Sequence, residues 1–219
     1  MLKLYGHLFS SYTWKALIAL YEKQLDFEFC ALDEEHPEHW EQLRGHWPRG
    51  QMPVLVDGGR GVAESSIIVE HLDLAYPGTP QLIPLDRVAA LQVRLIDRVF
   101  DCHLEASFQA AVSEYLPFIT ATPDPLRVER ARATLSTIYP WLDANLPETG
   151  WACGDEFSLA DCSGAPALFY ADWTQPIPEH CHRLKGYRAR LLAHPSVARC
   201  VDDARPFRHF FPLGAPDRD

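Results

Sequence analysis

The chain has 219 residues, 47% of them hydrophobic and 23% charged. Those are the proportions of a folded globular protein, and they exclude a disordered chain, a collagen and a disulfide-stapled miniprotein. Thirty acidic against 20 basic side chains leave a formal charge of −10 with no basic run, so neither nucleic acid nor an anionic membrane surface is expected as a partner.

In chain order, Leu2-Lys3-Leu4-Tyr5 reads as a short apolar strand and not as a signal peptide. A helix is expected over residues 13–23, with Thr13, Ala16, Leu17, Leu20 and Gln24 along one side. Residues 26–32 alternate, with Phe27, Phe29 and Ala31 on one face, as a second strand. Strand, crossover helix and strand make a parallel unit. Residues 35–43 are acidic and weakly helical. Pro53-Val54-Leu55-Val56-Asp57, a Gly58-Gly59 turn and Gly61-Val62-Ala63 form a hairpin. A helix over 66–75 turns Ile67, Ile68 and Leu72 inward. The order is β-α-β-α-β-β-α.

Pro77, Gly78, Pro80 and Pro84 then mark a linker over 77–86. Beyond it the periods are helical only. A long helix is expected over 88–108, with Leu91, Leu95, Val99 and Cys102 on one stripe, followed by helices near 125–145, 158–170, 183–193 and 196–205. Residues 1–76 are thus a small α/β domain and residues 87–219 an all-helical one. No apolar stretch approaches the about 18 residues of a membrane-spanning helix. The six cysteines include no C-x-x-C pair, so free thiols in a reducing cytoplasm, with no metal, are expected.

Four segments carry chemistry. Glu64-Ser65-Ser66 stands where a strand ends and a helix begins, a place whose free N–H groups favour a bound carboxylate, although serines there also serve as helix caps. Pro53 suits a strand start, because it cannot donate to a ladder. The run Ser10-Ser11-Tyr12-Thr13-Trp14-Lys15 places three hydroxyls at a helix start, where Ser11 or Thr13 would cap. Ser158 and Asp161 have the spacing of a capping box and are expected to serve stability alone.

Taken in chain order, with Trp47-Pro48-Arg49-Gly50-Gln51-Met52-Pro53 and Gly154-Asp155, the segments resemble the cytosolic glutathione transferases. The 10–15 run is similar to the serine-type enzymes, the zeta class among them, but has Tyr12 and Lys15 where that class has cysteine and arginine. The resemblance implies a thioredoxin-like first domain (1–76), a helical-bundle second domain, a homodimer and a role in detoxification. It implies transfer of glutathione thiolate to small apolar electrophiles. A glutathione-dependent isomerase and a non-catalytic interaction protein are the alternatives. Ser10 matches the thiol-activating serine, with its neighbours Ser11 and Tyr12 as the alternatives. Glu64, Ser65, Met52, Pro53 (as a cis proline) and Gln51 are implied to bind glutathione. Leu8, Phe9, His103, Leu104, Phe108 and Tyr115 are implied to line the electrophile site, with Phe207, Phe210 and Phe211 closing over it. The dimer surface would include the helix after Ser66 and the start of the long helix, near Arg87, Val88, Leu91 and Arg94.

Overall fold

Strand β1 (Leu2–Gly6) runs parallel to β2 (Phe27–Ala31) and antiparallel to β3 (Val54–Asp57), which pairs with β4 (Arg60–Ala63), in a computed structural model describing residues 1–219. The order across this mixed sheet is β2-β1-β3-β4. Helix α1 (Ser11–Glu22) connects the parallel pair, α2 (Pro37–His46) follows β2, and α3 (Ser65–Ala75) follows β4. The central strand is covered on both faces, so its neighbours Leu4 and Tyr5 are both buried. Leu4 joins the main core with Leu17 and Ile68, whereas Tyr5 packs with Leu43 and Val54 on the side of α2.

Two expectations for this domain need correction. Helix α1 starts at Ser11, with Ser10 as its N-cap, and ends before Gln24, whose φ of 53° leaves the helix and puts that side chain outside the buried face. In α3, Ile68, Val69 and Leu72 are buried, but Ile67 is 51% exposed. One step of about 100° along a helix separates those faces.

Residues 77–86 contain no regular element but are anchored. The Asp73 carboxylate accepts from the N–H groups of Leu82 (3.0 Å) and Ile83 (2.8 Å) and pairs with buried Lys23 (2.7 Å), which also donates to the Pro80 carbonyl (2.9 Å).

The single helix expected over 88–108 is three segments in line. Helix α4 (Arg87–Val99), capped by Asp86, leads into a π-helical stretch (Phe100–Glu105) and then α5 (Ala106–Ser113). Its buried side carries Ala90, Val93, Ile96, Asp97, Phe100 and Leu104, while Leu91 is 68% exposed and Cys102 faces out. The expected stripe is therefore largely the solvent face, with only Val99 buried. A charged residue, Asp97, belongs to the inner side because Lys15 neutralises it.

Helices α6 (Pro125–Asn145), α7 (Leu159–Thr174), α8 (His182–Ala193) and α9 (Pro195–Ala204) complete the bundle, and a 3₁₀ turn (Arg205–Phe210) leads into the tail. Helix α7 runs four residues past the expected end at 170 and is buried along its whole length, at the centre of the bundle. Most of its polar groups have partners, the Trp173 indole N–H being an exception. Ser163 donates to Asp97, Thr174 donates to the Tyr170 carbonyl (2.9 Å), and Asp161 closes the capping box with Ser158. A Cβ at Gly164 would lie 2.8 Å from the Tyr187 hydroxyl and 3.0 Å from the Phe100 ring, so this close crossing needs glycine. No helix is long and apolar enough to cross a membrane.

Candidate functional site

Two cavities of opposite character meet between the sheet domain and the α4–α5 segment. The first, of about 770 Å³, is lined by Pro53, Glu64 and Ser65 from the sheet domain and by Arg94, Arg98, Asp101 and Cys102 from α4 and the π-helical stretch. The second, of about 730 Å³, is mostly apolar and is walled by Phe9, Phe108, Val112, Tyr170, Phe210 and Phe211, with Ser10 and Ser11 at its edge. Tyr12, Gln51 and Met52 line both.

The polar cavity is built where β4 turns into α3. Glu64 makes that turn with φ 69° and ψ 116°, a left-handed conformation that is unfavourable for a residue with a Cβ. The turn leaves the Glu64 side chain exposed. The first N–H to bond back into α3 is that of Ile68, to the Glu64 carbonyl (2.9 Å). The N–H groups before it, beginning with that of Ser65, are the unsatisfied donors of a helix start and open on the cavity. Neither serine caps α3: Ser65 is its first residue, and the Ser66 hydroxyl faces Lys15 instead (2.7 Å). Across the cavity floor the Met52–Pro53 bond is cis. The Met52 N–H and carbonyl have no backbone partner. Gln51 is exposed and accepts from Arg49 (2.8 Å).

The three hydroxyls at the start of α1 differ. Ser10 Oγ accepts from the Thr13 N–H (3.4 Å), which leaves its own proton free. Ser11 is buried and donates its proton to Glu105, while Gln109 donates to Ser11 (3.2 Å). Burial pushes the Glu105 carboxyl up to about 8, against the opposing hydrogen bond from Ser11. Burial, reinforced by the charges of Glu105 and Asp101, holds the Tyr12 phenol well above its ordinary pKa, so it stays protonated.

Behind the polar cavity, Lys15 from α1 reaches Asp97 (2.5 Å), Asp101 (2.8 Å) and Ser66. Arg98 also pairs with both carboxylates, at 2.7 Å each. Burial alone would raise the Asp97 pKa. The Lys15 charge, with hydrogen bonds from Lys15, Ser163 and Arg98, outweighs that and holds it below the usual carboxylate value.

Of the side chains expected around the electrophile, the structure brings Phe9 and Phe108 to the apolar cavity, with Phe210 and Phe211. Four others lie elsewhere. Leu8 packs on the core and its carbonyl accepts from Trp14 (2.6 Å), Leu104 is wholly in the core, and His103 and Tyr115 are exposed outside the lining. Position 103 falls within the π-helical stretch, on its exposed side. Phe207 packs against His7 (ring centroids 4.8 Å apart). Sequence reasoning missed His7, Val112, Leu116, Phe118, Ile119 and Tyr170. Tyr170 reads as core, and the 116–119 turn has no periodicity to follow.

The family model described as the glutathione S-transferase N-terminal domain matches residues 4–80, and that of the C-terminal domain matches residues 125–198. The chain is 33% identical over 210 residues to glutathione S-transferase 3 of Zea mays, covering 91% of this chain and 93% of that one. It is 27% identical to a probable maleylacetoacetate isomerase of Vibrio cholerae, covering 93% and 96%. Among solved structures, a glutathione S-transferase from Methylobacillus flagellatus with glutathione bound superposes with a TM-score of 0.75 at 26% identity, over 91% of this chain and 98% of that one.

Proposed function

The chain belongs to the glutathione S-transferase family, and from that premise we propose that it binds glutathione in the polar cavity and transfers its thiolate to small, largely apolar electrophiles held in the apolar one. The observation that carries this reading is the junction of the two cavities over Tyr12, Gln51 and Met52, with Tyr12 two residues from the free hydroxyl of Ser10. The open N–H groups of α3 and the Ser65 hydroxyl suit the γ-glutamyl carboxylate. Glu64 suits the neighbouring ammonium. The unpaired Met52 backbone suits the cysteinyl backbone in strand fashion. Gln51 lies on the side left for the glycyl end, and Pro53 forms the floor beneath Met52.

This placement brings the thiol to the helix start. Ser10 there donates to the thiolate, and the dipole of α1 adds its positive end. Lowering a thiol pKa from about 8.5 to about 6.5 takes about 2.7 kcal/mol of thiolate stabilisation. Ser11 is committed to Glu105, and Tyr12 remains a neutral second donor at the junction. The thiolate attacks the electrophilic carbon, a C–S bond forms, and the displaced electron pair leaves with the leaving group or moves into a conjugated acceptor. The Vibrio relative supports glutathione-dependent isomerisation as a second reading. Turnover without net loss of thiol distinguishes it.

The finer assignments follow the same reading. The linker at 77–86 divides the two domains. The exposed apolar side chains Leu74, Val88, Leu91 and Leu95 of α3 and α4 suit a face that meets a second copy in a homodimer. Free thiols suit a cytoplasmic, detoxifying role.

Retention on immobilised glutathione tests the binding half: wild type is expected to be held and eluted by free glutathione, and Glu64→Ala and Ser65→Ala to pass through. Glu64→Gly separates binding from strain. It is expected to lose retention yet gain about 1 kcal/mol in urea unfolding, because glycine accepts the left-handed turn. Retention of the glycine variant contradicts the role given to the carboxylate.

A further inference from the structure

We propose that the His7 imidazole N–H binds the carbonyl oxygen of the electrophile and so directs the enzyme toward conjugated carbonyl compounds, enals and enones. This rests on the transferase reading above and goes beyond it by naming the electrophile class and the group that selects it.

Most polar side chains of the apolar cavity are already engaged. Ser11 gives its proton to Glu105, Gln109 donates to Ser11, and Tyr170 donates to the Phe9 carbonyl (3.0 Å). Ser10 is taken by the sulfur, and Tyr12 stands at the junction with the polar cavity. His7 lines the apolar cavity alone. Its Nδ1 faces the backbone N–H of Phe9 (3.1 Å), which can only donate. Nδ1 must therefore carry the lone pair, and the ring proton sits on Nε2. The ring is held edge-on by Phe207 and lies 6.0 Å from Phe210. Burial lowers its pKa, with distant Asp33 opposing, so the donor is a neutral imidazole at neutral pH.

The position of His7 relative to the sulfur is fixed by the backbone. The Ser10 N–H bonds to the His7 carbonyl (2.9 Å), closing a turn whose end Cα atoms stay within about 7 Å. One rigid turn thus carries a donor for the sulfur and a donor for a second, less anionic atom. Conjugate addition needs this pair. The thiolate forms a C–S bond at the β-carbon, the C=C pair shifts toward the carbonyl, and negative charge appears on its oxygen. A fixed neutral N–H in an apolar cavity stabilises that charge as it develops. Water then protonates the α-carbon, and the hydroxide left behind takes up the proton released when the thiol ionised, so the sum is glutathione plus enal giving one adduct.

The test compares crotonaldehyde with benzyl chloride, which has no oxygen to bind, in wild type, His7→Phe and His7→Gln. Phenylalanine keeps the packing against Phe207 and removes the donor; glutamine restores an N–H. His7→Phe is expected to lower kcat for crotonaldehyde about 100-fold and to leave benzyl chloride within about twofold, with His7→Gln recovering part of the loss. Equal losses on both substrates, no loss on either, or a wild type that accepts the halide and not the enal overturns the role of His7 and leaves the transferase reading standing. A wild type that turns over neither overturns both.

Discussion

Lys15→Met is expected to lower the free energy of unfolding by about 4 kcal/mol, because it strips the buried partner from two carboxylates. Lys15 and Asp97 are 1% and 2% exposed and lie 2.5 Å apart. After the substitution Asp97 keeps Arg98, half of whose side chain is in solvent, and the Ser163 hydroxyl. The pH dependence carries a sign. The folded-state pKa of Asp97 lies below its ordinary value, so the unfolded chain binds that proton more readily. The stabilisation is complete above the unfolded value of about 3.9 and is lost as pH falls through the folded one. The gap between wild type and Lys15→Met in urea unfolding is therefore expected to be full at neutral pH and to narrow below about pH 4. A gap under about 1 kcal/mol at neutral pH, the range of a surface pair, contradicts the account of the cluster.

Asp161→Ala is expected to cost a similar amount, about 4 kcal/mol, through hydrogen bonds instead of charge pairing. The fully buried carboxylate accepts from the Ala152 N–H (2.8 Å), the Ser158 N–H (2.9 Å), the Ser158 hydroxyl (2.9 Å) and the Tyr187 hydroxyl (2.7 Å). Alanine leaves all of these donors in the interior without an acceptor. Tyr187→Phe removes one donor together with its bond and is expected to cost only about 1 kcal/mol. Equal losses for the two variants in urea unfolding would contradict this distinction. Since α7 also supplies Ser163 and Tyr170, its starting point sets the register of the bundle beneath both cavities.

Much of this was legible in the residues. The alternation at 26–32, the Gly58-Gly59 turn and the capping box each follow from a local rule, and the order of elements in the first domain follows from them. The Glu64-Ser65 pair was legible for the same reason, since a strand end and a helix start are local signals. Three features were not. The π-helical stretch, with its i→i+5 hydrogen bonds, has no signature in the order of apolar and polar residues. The inner face of α4 includes Asp97, which is admitted by Lys15, 82 residues away in the chain, so a rule that looks for large apolar residues chose Leu91 and Leu95 instead. The apolar cavity draws its wall from segments far apart in the chain, at 7 and 9–12, 50–52, between 108 and 119, at 170 and at 210–212, with Leu8 and Tyr115 left out, a set assembled by tertiary packing. His7 and Tyr170 carry no local mark of belonging to it.

Ionisation of the glutathione thiol at Ser10 is measured most directly by titrating the thiolate absorbance of the wild-type complex beside that of Ser10→Ala. The expected result is a bound thiol with a pKa of about 6.5, against about 8.5 when free, returning most of the way toward the free value in Ser10→Ala. A bound thiol that titrates like the free one in wild type, or a lowered pKa that survives in Ser10→Ala, contradicts it.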